Sequence, residues 1–522
     1  MPGYYVENFG CRATQADGAA LERQFEEQGL VRASNPNQAS VVVLNTCTVT
    51  SGADQDARAA IRRVRRQNPE ARIVVTGCYA QRAPEEIAAL PGVDLVVGNS
   101  HKHVLAEIVR VTRDDSDLGW GSASSAEKDS SYSDRASAPA ALAFVPLSAI
   151  TAASGSRKPD TGRPIYVSDI FAHTELLAAP VFDAANERTR PNLKIQDGCD
   201  NRCSFCVIPY VRGQSRSLEP HRIISEVNTL VTAGYREVVI SGINLGRWGR
   251  DLGSSPVHVG TAAGCPGEQS SPAAALDTDR KPESESLTPD AQRLTPSLPR
   301  LIHAILNGTR LEKLRVSSVE PMDWSDDLIA LVASSPRIAK HAHVPMQSGS
   351  DAVLRRMHRK YRPWHYREKI DKIHAAMPDA AIGADVMVGF PGETEAEFED
   401  TRQLIEDLPF TYLHVFTYSP RPGTPAAQMK NQIPVPIARE RNRILRELAS
   451  EKKLAFMRRF IGKTVDAITL NVCGNDADGE FTECLTDNYL KLRLRGLDES
   501  NHWRTVNVQN VSAGSLIGER AV

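Results

Sequence analysis

Three cysteines lie close together in the middle of the chain, at Cys199, Cys203 and Cys206, in a C-x3-C-x2-C spacing. Thiolates are the usual ligands of iron–sulfur clusters, and three of them leave one iron of a four-iron cluster open to bind another molecule. Zinc sites more often use paired C-x2-C units or add histidines, and none lies nearby. The spacing favours an iron–sulfur cluster, with zinc and simple burial as the alternatives.

Three further cysteines each follow a predicted strand in the first 110 residues. In open parallel sheets the carboxyl ends of the strands face a common crevice where ligands bind, so these cysteines can meet in space. Gly10 and Gly77 precede two of them and leave room for a bulky cluster. A second cluster is therefore predicted, and three buried cysteines that act as small apolar residues are the alternative. The cysteines and their strands are Cys11 after 4–9, Cys47 after 41–44 and Cys78 after 73–76.

Alternating strand and helix patterns predict an α/β multidomain fold, beginning with an N-terminal parallel sheet. From Pro191 the pattern predicts six more parallel strands, which could close partly into a barrel whose working face lies at the carboxyl ends of the strands. A basic helix is predicted over 437–460, and short strands at 464–470, 481–485, 489–494 and 505–509 predict a small β-barrel. The six parallel strands are predicted at 192–197, 236–242, 313–318, 341–346, 381–388 and 412–418.

Changes in composition mark the domain boundaries. Ser, Ala, Gly and Asp dominate 112–164, and a second low-complexity insert covers about 251–298. The predicted division is a cluster domain over 1–111, an insertion and linker over 112–187, a central core over 188–430, a basic connecting helix over 431–460 and the β-barrel over 461–522.

Composition limits where the protein works. The 522 residues carry a net charge of −2, so any nucleic-acid contact must come from local patches. There is no run of 18 apolar residues, which predicts no membrane span, and the first residues lack the pattern of a secretion signal. Nine cysteines, an odd number in two clustered sets, fit a reducing compartment. A cytoplasmic protein is predicted.

Five sequence motifs together resemble the methylthiotransferases of the radical S-adenosylmethionine (SAM) superfamily. The resemblance covers nearly the whole chain except the two inserts. It implies an N-terminal cluster domain, a partial (βα)6 radical SAM barrel and a C-terminal TRAM barrel. The motifs are NTCTVT at 45–50, TGCYAQ at 76–81, the Cys199–Cys206 triplet, HVPMQSGSD at 343–351 and VGFPGET at 388–394.

The resemblance also implies the cofactors and the reaction. Cys199, Cys203 and Cys206 would hold a [4Fe-4S] cluster that binds SAM, and Cys11, Cys47 and Cys78 a second [4Fe-4S] cluster that presents sulfur. One SAM would serve as methyl donor and another as radical source, with electrons from a flavodoxin- or ferredoxin-like donor.

Two stretches point to a branch within this family. NTCTVT at 45–50 and KIQDGC at 194–199 resemble the MtaB-type branch, which acts on N6-threonylcarbamoyladenosine at tRNA position 37. The alternatives are isopentenyladenosine-37 of tRNA, an aspartate of a ribosomal protein, or a two-cluster electron-transfer protein without catalysis. The six-unit barrel argues against the last, because an electron carrier needs no substrate cavity.

Contacts with SAM are expected at the strand ends that follow the cluster loop. Glycines there let a backbone approach the ligand, and hydroxyl and carboxylate groups could bind the ribose. An ordinary βα turn is the alternative for any single one. The residues are Gly242, Asn244, Ser317, Glu320, Gln347 and Ser348.

The expected macromolecular partner is a tRNA anticodon stem-loop, whose phosphates require basic residues. Base 37 would be bound unstacked. The barrel over 461–522 is mildly acidic, with six Lys/Arg against nine Asp/Glu, so only a sub-patch of it could contribute. Cys265, Cys473 and Cys484 are assigned no ligand role. The basic candidates are Arg58, Arg62, Arg63, Arg65 and Arg66, the 437–460 helix, and Lys491, Arg493 and Arg495.

Overall fold

Six parallel strands form the N-terminal sheet of the computed structural model, which describes residues 3–112, 163–173, 176, 180–181, 190–253, 296–476 and 479–521. The strands are β1 (Gly3–Asn8), β2 (Val31–Arg32), β3 (Val41–Thr46), β4 (Arg72–Gly77), β5 (Leu95–Gly98) and β6 (Ile165–Tyr166). They lie in the order β2-β1-β3-β4-β5-β6. The central strands are buried along their length because helices cover both faces of the sheet. The predicted N-terminal parallel sheet is confirmed. Its helices are α1 (Arg12–Glu27), α2 (Ser51–Gln67), α3 (Cys78–Arg82), α4 (Pro84–Ala88) and α5 (Leu105–Val111).

The segment predicted as insertion and linker, 112–187, contributes two short strands. β6 pairs in parallel with β5, and β7 (Pro180–Val181) pairs antiparallel with residues 192–193 of the central unit. A two-residue strand carries too short a pattern to be recognised from sequence. The remainder of both low-complexity inserts, 113–162 and 254–295 with Cys265, lies outside the described residues.

The central unit contains the six predicted parallel strands, in chain order. β8 (Asn192–Asp197), β10 (Glu237–Gly242) and β11 (Lys313–Val316) form one sheet, to which β7 and β9 (Arg216–Ser217) are added on β8. β12 (His341–His343), β13 (Ala381–Val388) and β14 (Tyr412–Thr417) form another. Isolated bridges, Leu314 to Ile338 and Ser318 to His343, connect the two sheets. The strand positions predicted from the sequence are thereby confirmed.

Helices between these strands pack against the two sheets of the central unit. In α8, Leu298, Leu301, Ile302 and Ile305 are buried on one face, the spacing of an amphipathic helix, and belong to the same core as the strand residues. The strand ends are therefore held by a packed core. The helices are α6 (Ile208–Arg212), α7 (Pro220–Thr232), α8 (Leu298–Gly308), α9 (Asp326–Ser334), α10 (Asp351–Arg356), α11 (Pro363–Ala376) and α12 (Glu395–Asp407).

A long helix, α13 (Val435–Arg458), leads into a closed five-stranded barrel. The barrel has one more strand than predicted, because Ser515–Arg520 lacks an apolar alternation that would identify it. Among the helices of the described ranges, none combines the length and the apolar character needed to cross a membrane. The barrel strands are β15 (Thr464–Asp476), β16 (Gly479–Thr486), β17 (Lys491–Arg495), β18 (Trp503–Ser512) and β19 (Ser515–Arg520).

Candidate functional site

The first cysteine trio lies at one edge of the N-terminal sheet. Cys11, Cys47 and Cys78 follow β1, β3 and β4, and Cys78 is the first residue of α3. Cys47 and Cys78 are buried, whereas Cys11 is exposed. Burial, together with the neighbouring thiols of Cys78 and Cys11, raises the pKa of Cys47 to about 12. The three thiols are thus close enough to influence one another electrostatically.

Two glycines fix the backbone next to cysteines of this trio. Gly10 has a φ of 105°, and a Cβ there would lie 2.6 Å from Cβ of Cys47 and 2.9 Å from its Sγ. Gly77 has a φ of 98°, and a Cβ there would lie 2.3 Å from the carbonyl oxygen of Thr46. Both positions therefore require glycine, for the backbone conformation and for space.

The second trio lies in the loop after β8, where several groups donate hydrogen bonds to its sulfur atoms. The Asn201 backbone N–H and the Asn244 side chain lie 3.4 and 3.7 Å from Cys199 Sγ. Arg359 Nη1 lies 3.3 Å from Cys203 Sγ and the same guanidinium pairs with Glu320. Donors aimed at sulfur are typical of iron–sulfur sites.

Burial disfavours ionisation of these thiols when no metal is bound. It raises the pKa of Cys199, and burial together with the charges of Cys203 and Cys199 raises the pKa of Cys206 to about 12. A bound cation reverses this preference, because a coordinating thiol is deprotonated outright. Three convergent thiols with donors aimed at them therefore fit a metal cluster better than free cysteines.

Helix α6 connects the two trios. Val207, the residue after Cys206, packs together with Val211 against Cys78. The Asn99 side chain donates to Val211 O at 2.7 Å and to Cys78 Sγ at 3.6 Å. Cys78 of the first trio therefore packs against the short helix that follows directly after the second trio.

A buried network of charges fixes this arrangement. Asp17 of α1 accepts hydrogen bonds from Lys102, Lys194 and Arg212, the last at 2.9 Å, and Asp197 also pairs with Lys194 and Arg212. Burial alone would raise the pKa of Asp17, but the three cations outweigh it and hold the pKa well below its usual range. Three cations against two carboxylates leave an excess of positive charge beside the trios.

A cavity of about 560 Å³ opens between the N-terminal sheet, the central strands and the C-terminal barrel. Cys11 and Val49 line it from the first unit, and Tyr489 lines it from the last. Five of the six residues expected to contact SAM line it as well: Gly242, Asn244, Ser317, Glu320 and Gln347. Ser348 does not. It is buried and forms a hydrogen bond with Thr401 at 3.1 Å, so it positions α12 against the loop.

The motif NTCTVT divides into structural and cavity residues. Thr48 is fully buried, donates to Asp54 at 2.6 Å and accepts hydrogen bonds from Arg82 and Arg421. Thr50 caps α2 by accepting a hydrogen bond from the Ala53 backbone. Only Val49 of these three lines the cavity.

Several cavity residues were not predicted from the sequence. His343, Asp385 and His414 bring three ligand-type atoms within 4.8 Å of one another, and His343 Nε2 lies 3.4 Å from an oxygen of Asp385. His341 and Tyr412 lie two residues before His343 and His414, on the same strand faces. The i, i+2 alternation of aromatic and imidazole side chains in His341-Ala-His343 and Tyr412-Leu-His414 could have indicated that these residues face one cavity.

The basic groups expected to meet tRNA differ in their exposure and pairing. Arg58, Arg63 and Arg65 pair with Glu86, Glu7 and Asp94, while Arg62 and Arg66 are exposed. In the C-terminal barrel, Arg493 and Arg495 both pair with Asp476, whereas Lys491 is exposed. Pairing within the protein reduces the positive potential that a phosphate would meet.

Two family models match the chain. Residues 3–98 match the uncharacterized protein family UPF0004, and residues 286–405 match the radical SAM superfamily. A similar fold occurs in the radical SAM methyltransferase TsrM from Kitasatospora setae, with a TM-score of 0.51, 14% identity and coverage of 81% of this chain and 74% of that one.

Curated relatives align over nearly the full length. The threonylcarbamoyladenosine tRNA methylthiotransferase MtaB of Bacillus subtilis is 32% identical over 94% of this chain and 90% of the relative. The MtaB of Aquifex aeolicus is 32% identical over 94% and 97%. The chain therefore belongs to the radical SAM methylthiotransferase family, in its MtaB-type branch.

Proposed function

We propose that this radical SAM tRNA methylthiotransferase inserts a methylthio group at C2 of N6-threonylcarbamoyladenosine at position 37. The observation that carries the proposal is the shared cavity. Cys11 of the first trio, Asn244, which donates to the second, and four more of the six expected SAM residues line it. One nucleobase in this space would reach the neighbourhood of both trios.

The two cysteine trios support two [4Fe-4S] clusters, one on each trio. Family membership implies SAM and one cluster, which we assign to Cys199, Cys203 and Cys206. We assign a second cluster to Cys11, Cys47 and Cys78, because the thiols of Cys11 and Cys78 both lie near that of Cys47 and Gly10 leaves space beside Cys47. The cationic excess of Lys102, Lys194 and Arg212 would offset part of the negative charge of the thiolate ligands.

The hydrogen on adenine C2 is not acidic, so a general base cannot remove it. SAM and a reduced [4Fe-4S] cluster, held by Cys199, Cys203 and Cys206, would supply the radical chemistry that such a hydrogen requires. The residues of the chain itself bind the reactants and orient them. Gly242 keeps its strand end open, because a Cβ there would meet Gln196 at 2.8 Å, and Gln196 Oε1 holds the Asn244 backbone at 2.7 Å. Asn244 is thus positioned beside Cys199.

Delivery of base 37 requires contacts with the anticodon stem-loop. Arg62 and Arg66 on α2 are exposed and available for phosphates. Lys491 offers a further exposed cation on the C-terminal barrel, which we propose is a TRAM-like RNA-binding module. A base in the loop can leave its stack at low cost, which would allow it to enter the cavity.

Mass spectrometry of tRNA nucleosides from a strain lacking this gene tests the substrate. We expect the 2-methylthio form of N6-threonylcarbamoyladenosine to disappear and to return when the gene is restored. If the 2-methylthio form of isopentenyladenosine disappears instead, the substrate assignment is wrong. A normal nucleoside profile would contradict a role on either base.

Cysteine variants test the two trios separately, after anaerobic reconstitution with iron and sulfide. We expect roughly eight irons per chain in the wild type, from two four-iron clusters, and about four in Cys199→Ala or Cys47→Ala. Cys199→Ala should form no 5′-deoxyadenosine, whereas Cys47→Ala should cleave SAM but transfer no sulfur. Cys473→Ala, an exposed cysteine of the C-terminal barrel, is the matched control. Full methylthiolation by either trio variant would refute the site assignment.

A further inference from the structure

Arg12 occupies an unusual position in the cavity. It follows Cys11 directly, lines the cavity and is exposed. Its Nη2 donates to the Tyr489 hydroxyl at 3.3 Å, across 477 residues of sequence. Among the ion pairs of the described ranges, none involves Arg12. Its guanidinium therefore has donors left for a ligand.

The other charged groups that line the cavity already have partners. Arg315 is buried, pairs with Glu237 at 2.6 Å and donates to the backbone oxygens of Thr486 and Asp487. The carboxylate of Glu320 pairs with Arg359, and that of Asp385 faces His343. Arg12 is the lining cation for which no carboxylate partner is found in these ranges.

Two guanidinium groups share a single carboxylate beside the cavity. Arg190 lies near Arg315, and both approach the same carboxylate, Glu237, with Arg190 at 3.7 Å. Burial, followed by the charge of Arg315, His343 and Arg12, holds the pKa of His341 well below its usual value, so that this ring is neutral. An anionic group beside Arg12 and Tyr489 would meet these cations and the His341 ring, whereas the two lining carboxylates, Glu320 and Asp385, face Arg359 and His343.

Aromatic residues complete this region. The rings of His341 and Tyr489 are 4.7 Å apart, and those of Tyr412 and Tyr489 are 5.8 Å apart. Tyr489 has a φ of 67°, a left-handed conformation that is uncommon outside glycine. Such strain, at a cavity residue, is typical of functional sites.

The candidate substrates differ in the chemistry that these groups would meet. An isopentenyl group is apolar and uncharged, whereas a threonylcarbamoyl group ends in a carboxylate. A guanidinium beside a phenol hydroxyl suits a carboxylate, because charge-assisted hydrogen bonds to the planar fork are strong and directional. In adenine, C2 and C6 are both bonded to N1, so a base with C2 near the trios would place the substituent on N6 close by.

We infer that Arg12, with the hydroxyl of Tyr489, binds the carboxylate of the threonylcarbamoyl side chain and thereby selects the substrate. The inference rests on the proposed function and names the residues that confer its specificity. Arg12 and Tyr489 would position and select the nucleoside, and Arg12 would do so directly beside Cys11.

Binding measurements with two anticodon stem-loops isolate this contact. The loops carry either N6-threonylcarbamoyladenosine or its threonine amide, which lacks only the negative charge. Because both have the same phosphates, the salt-dependent backbone contribution cancels. We expect the reconstituted wild type to bind the acid roughly 10- to 100-fold more tightly, the range of a hydrogen-bonded charged group.

Variants then assign the preference to Arg12. Arg12→Gln should bind acid and amide equally, and both as weakly as the wild type binds the amide. Arg12→Lys should keep part of the preference through its point charge, and Tyr489→Phe should reduce it. Arg23→Gln, on the same helix but paired with Glu226, should keep it in full. Iron content and thermal unfolding verify that each variant is folded.

Two outcomes would overturn the inference and leave the proposed function intact. The wild type could modify the acid yet bind acid and amide alike, or Arg12→Gln could weaken both loops by the same factor, which would indicate a phosphate contact. Failure of the proposed function is distinct, because the wild type would then not methylthiolate the threonylcarbamoyl loop at all.

Discussion

Arg359 connects the trio of Cys199, Cys203 and Cys206, to which we assign SAM binding, to the cavity. Its guanidinium is buried, touches Cys203 Sγ at 3.3 Å and pairs with Glu320, which lines the cavity. Hydrogen bonds to cluster sulfur and nearby positive charge raise the reduction potential of an iron–sulfur centre. With a cluster bound, Arg359 would both hold the Glu320 carboxylate at the cavity and stabilise the negative charge on the Cys203 sulfur.

Replacing Arg359 by glutamine should lower the reduction potential of the cluster on Cys199, Cys203 and Cys206, because a cation and a sulfur hydrogen bond are lost. It should also lower the free energy of unfolding by about 1–3 kcal/mol, since Glu320 loses a charged partner. Redox titration followed by electron paramagnetic resonance measures the first effect, and urea unfolding measures the second.

Arg359→Lys should lower the reduction potential less than Arg359→Gln does. The lysine keeps the positive charge but lacks the planar guanidinium that bonds to both Cys203 and Glu320. Arg355→Gln removes an exposed guanidinium that pairs with Asp351 and should change neither quantity. An unchanged potential in an Arg359→Gln protein with full iron content would contradict the tuning role.

At the scale of elements, the ends of β1, β3 and β4 bring three distant cysteines together. This could be predicted, because strand patterns and their sheet edge follow from the local sequence. The six strands of the central unit were recognised for the same reason. The two-residue strands β2, β6, β7 and β9 and the barrel strand β19 were missed, since two residues, or a run such as Ser-Leu-Ile-Gly-Glu-Arg, carry no clear alternation.

The cavity residues were harder to predict for a different reason. Arg12 and Tyr489 meet across 477 residues, and no periodicity within one element encodes that pairing. Ser348 was expected at the SAM site because it follows a strand, but a strand end does not determine which way a side chain points. Its hydroxyl bonds to Thr401 of α12 instead.

Gly10→Ala tests the strand end that supports the first trio. The added Cβ would lie 2.6 Å from Cβ of Cys47, in a backbone conformation with a φ of 105°. We expect Cys47 to be displaced and the reconstituted protein to hold about four irons instead of about eight. Iron and sulfide analysis measures this loss. The four irons that remain would belong to the cluster on Cys199, Cys203 and Cys206.

Gly29→Ala is the matched control, because its φ is 77° and nothing lies within 4 Å of the added Cβ. It imposes a similar left-handed strain of about 1–2 kcal/mol without the clash. Iron content should stay at the wild-type level in Gly29→Ala. Equal iron in both variants would mean that Gly10 does not govern access to the trio.

At the scale of the whole molecule, charges and histidines lie where the N-terminal sheet meets the central unit. His173 is packed near His103 and Arg216, whose Nη1 donates to the His173 backbone at 3.3 Å. Burial, followed by Arg216 and His103, lowers the pKa of His173 to about 4. The ring is therefore neutral in the folded protein at pH 5.

Acidification from pH 6.5 to 4 should consequently destabilise the protein. In this window the unfolded chain binds a proton at His173 and the folded chain does not, so the free energy of unfolding falls as pH falls. The slope should stay below about 1.4 kcal/mol per pH unit for this group, because its ring is partly exposed. Urea unfolding of cluster-free, reduced protein at several pH values measures it.

His173→Gln should flatten this pH dependence, whereas His365→Gln, at an exposed position on α11, should leave it unchanged. Identical slopes in the wild type and His173→Gln would show that His173 does not titrate in the way inferred.

Tyr489, a side chain from the C-terminal barrel, forms part of the wall of the cavity that Cys11 also lines. During synthesis, the six cysteines that we assign to clusters are made before this wall. Clusters assembled on them at that stage would be open to water and oxygen until the barrel had folded and docked. Folding of the barrel would thus also close the cavity.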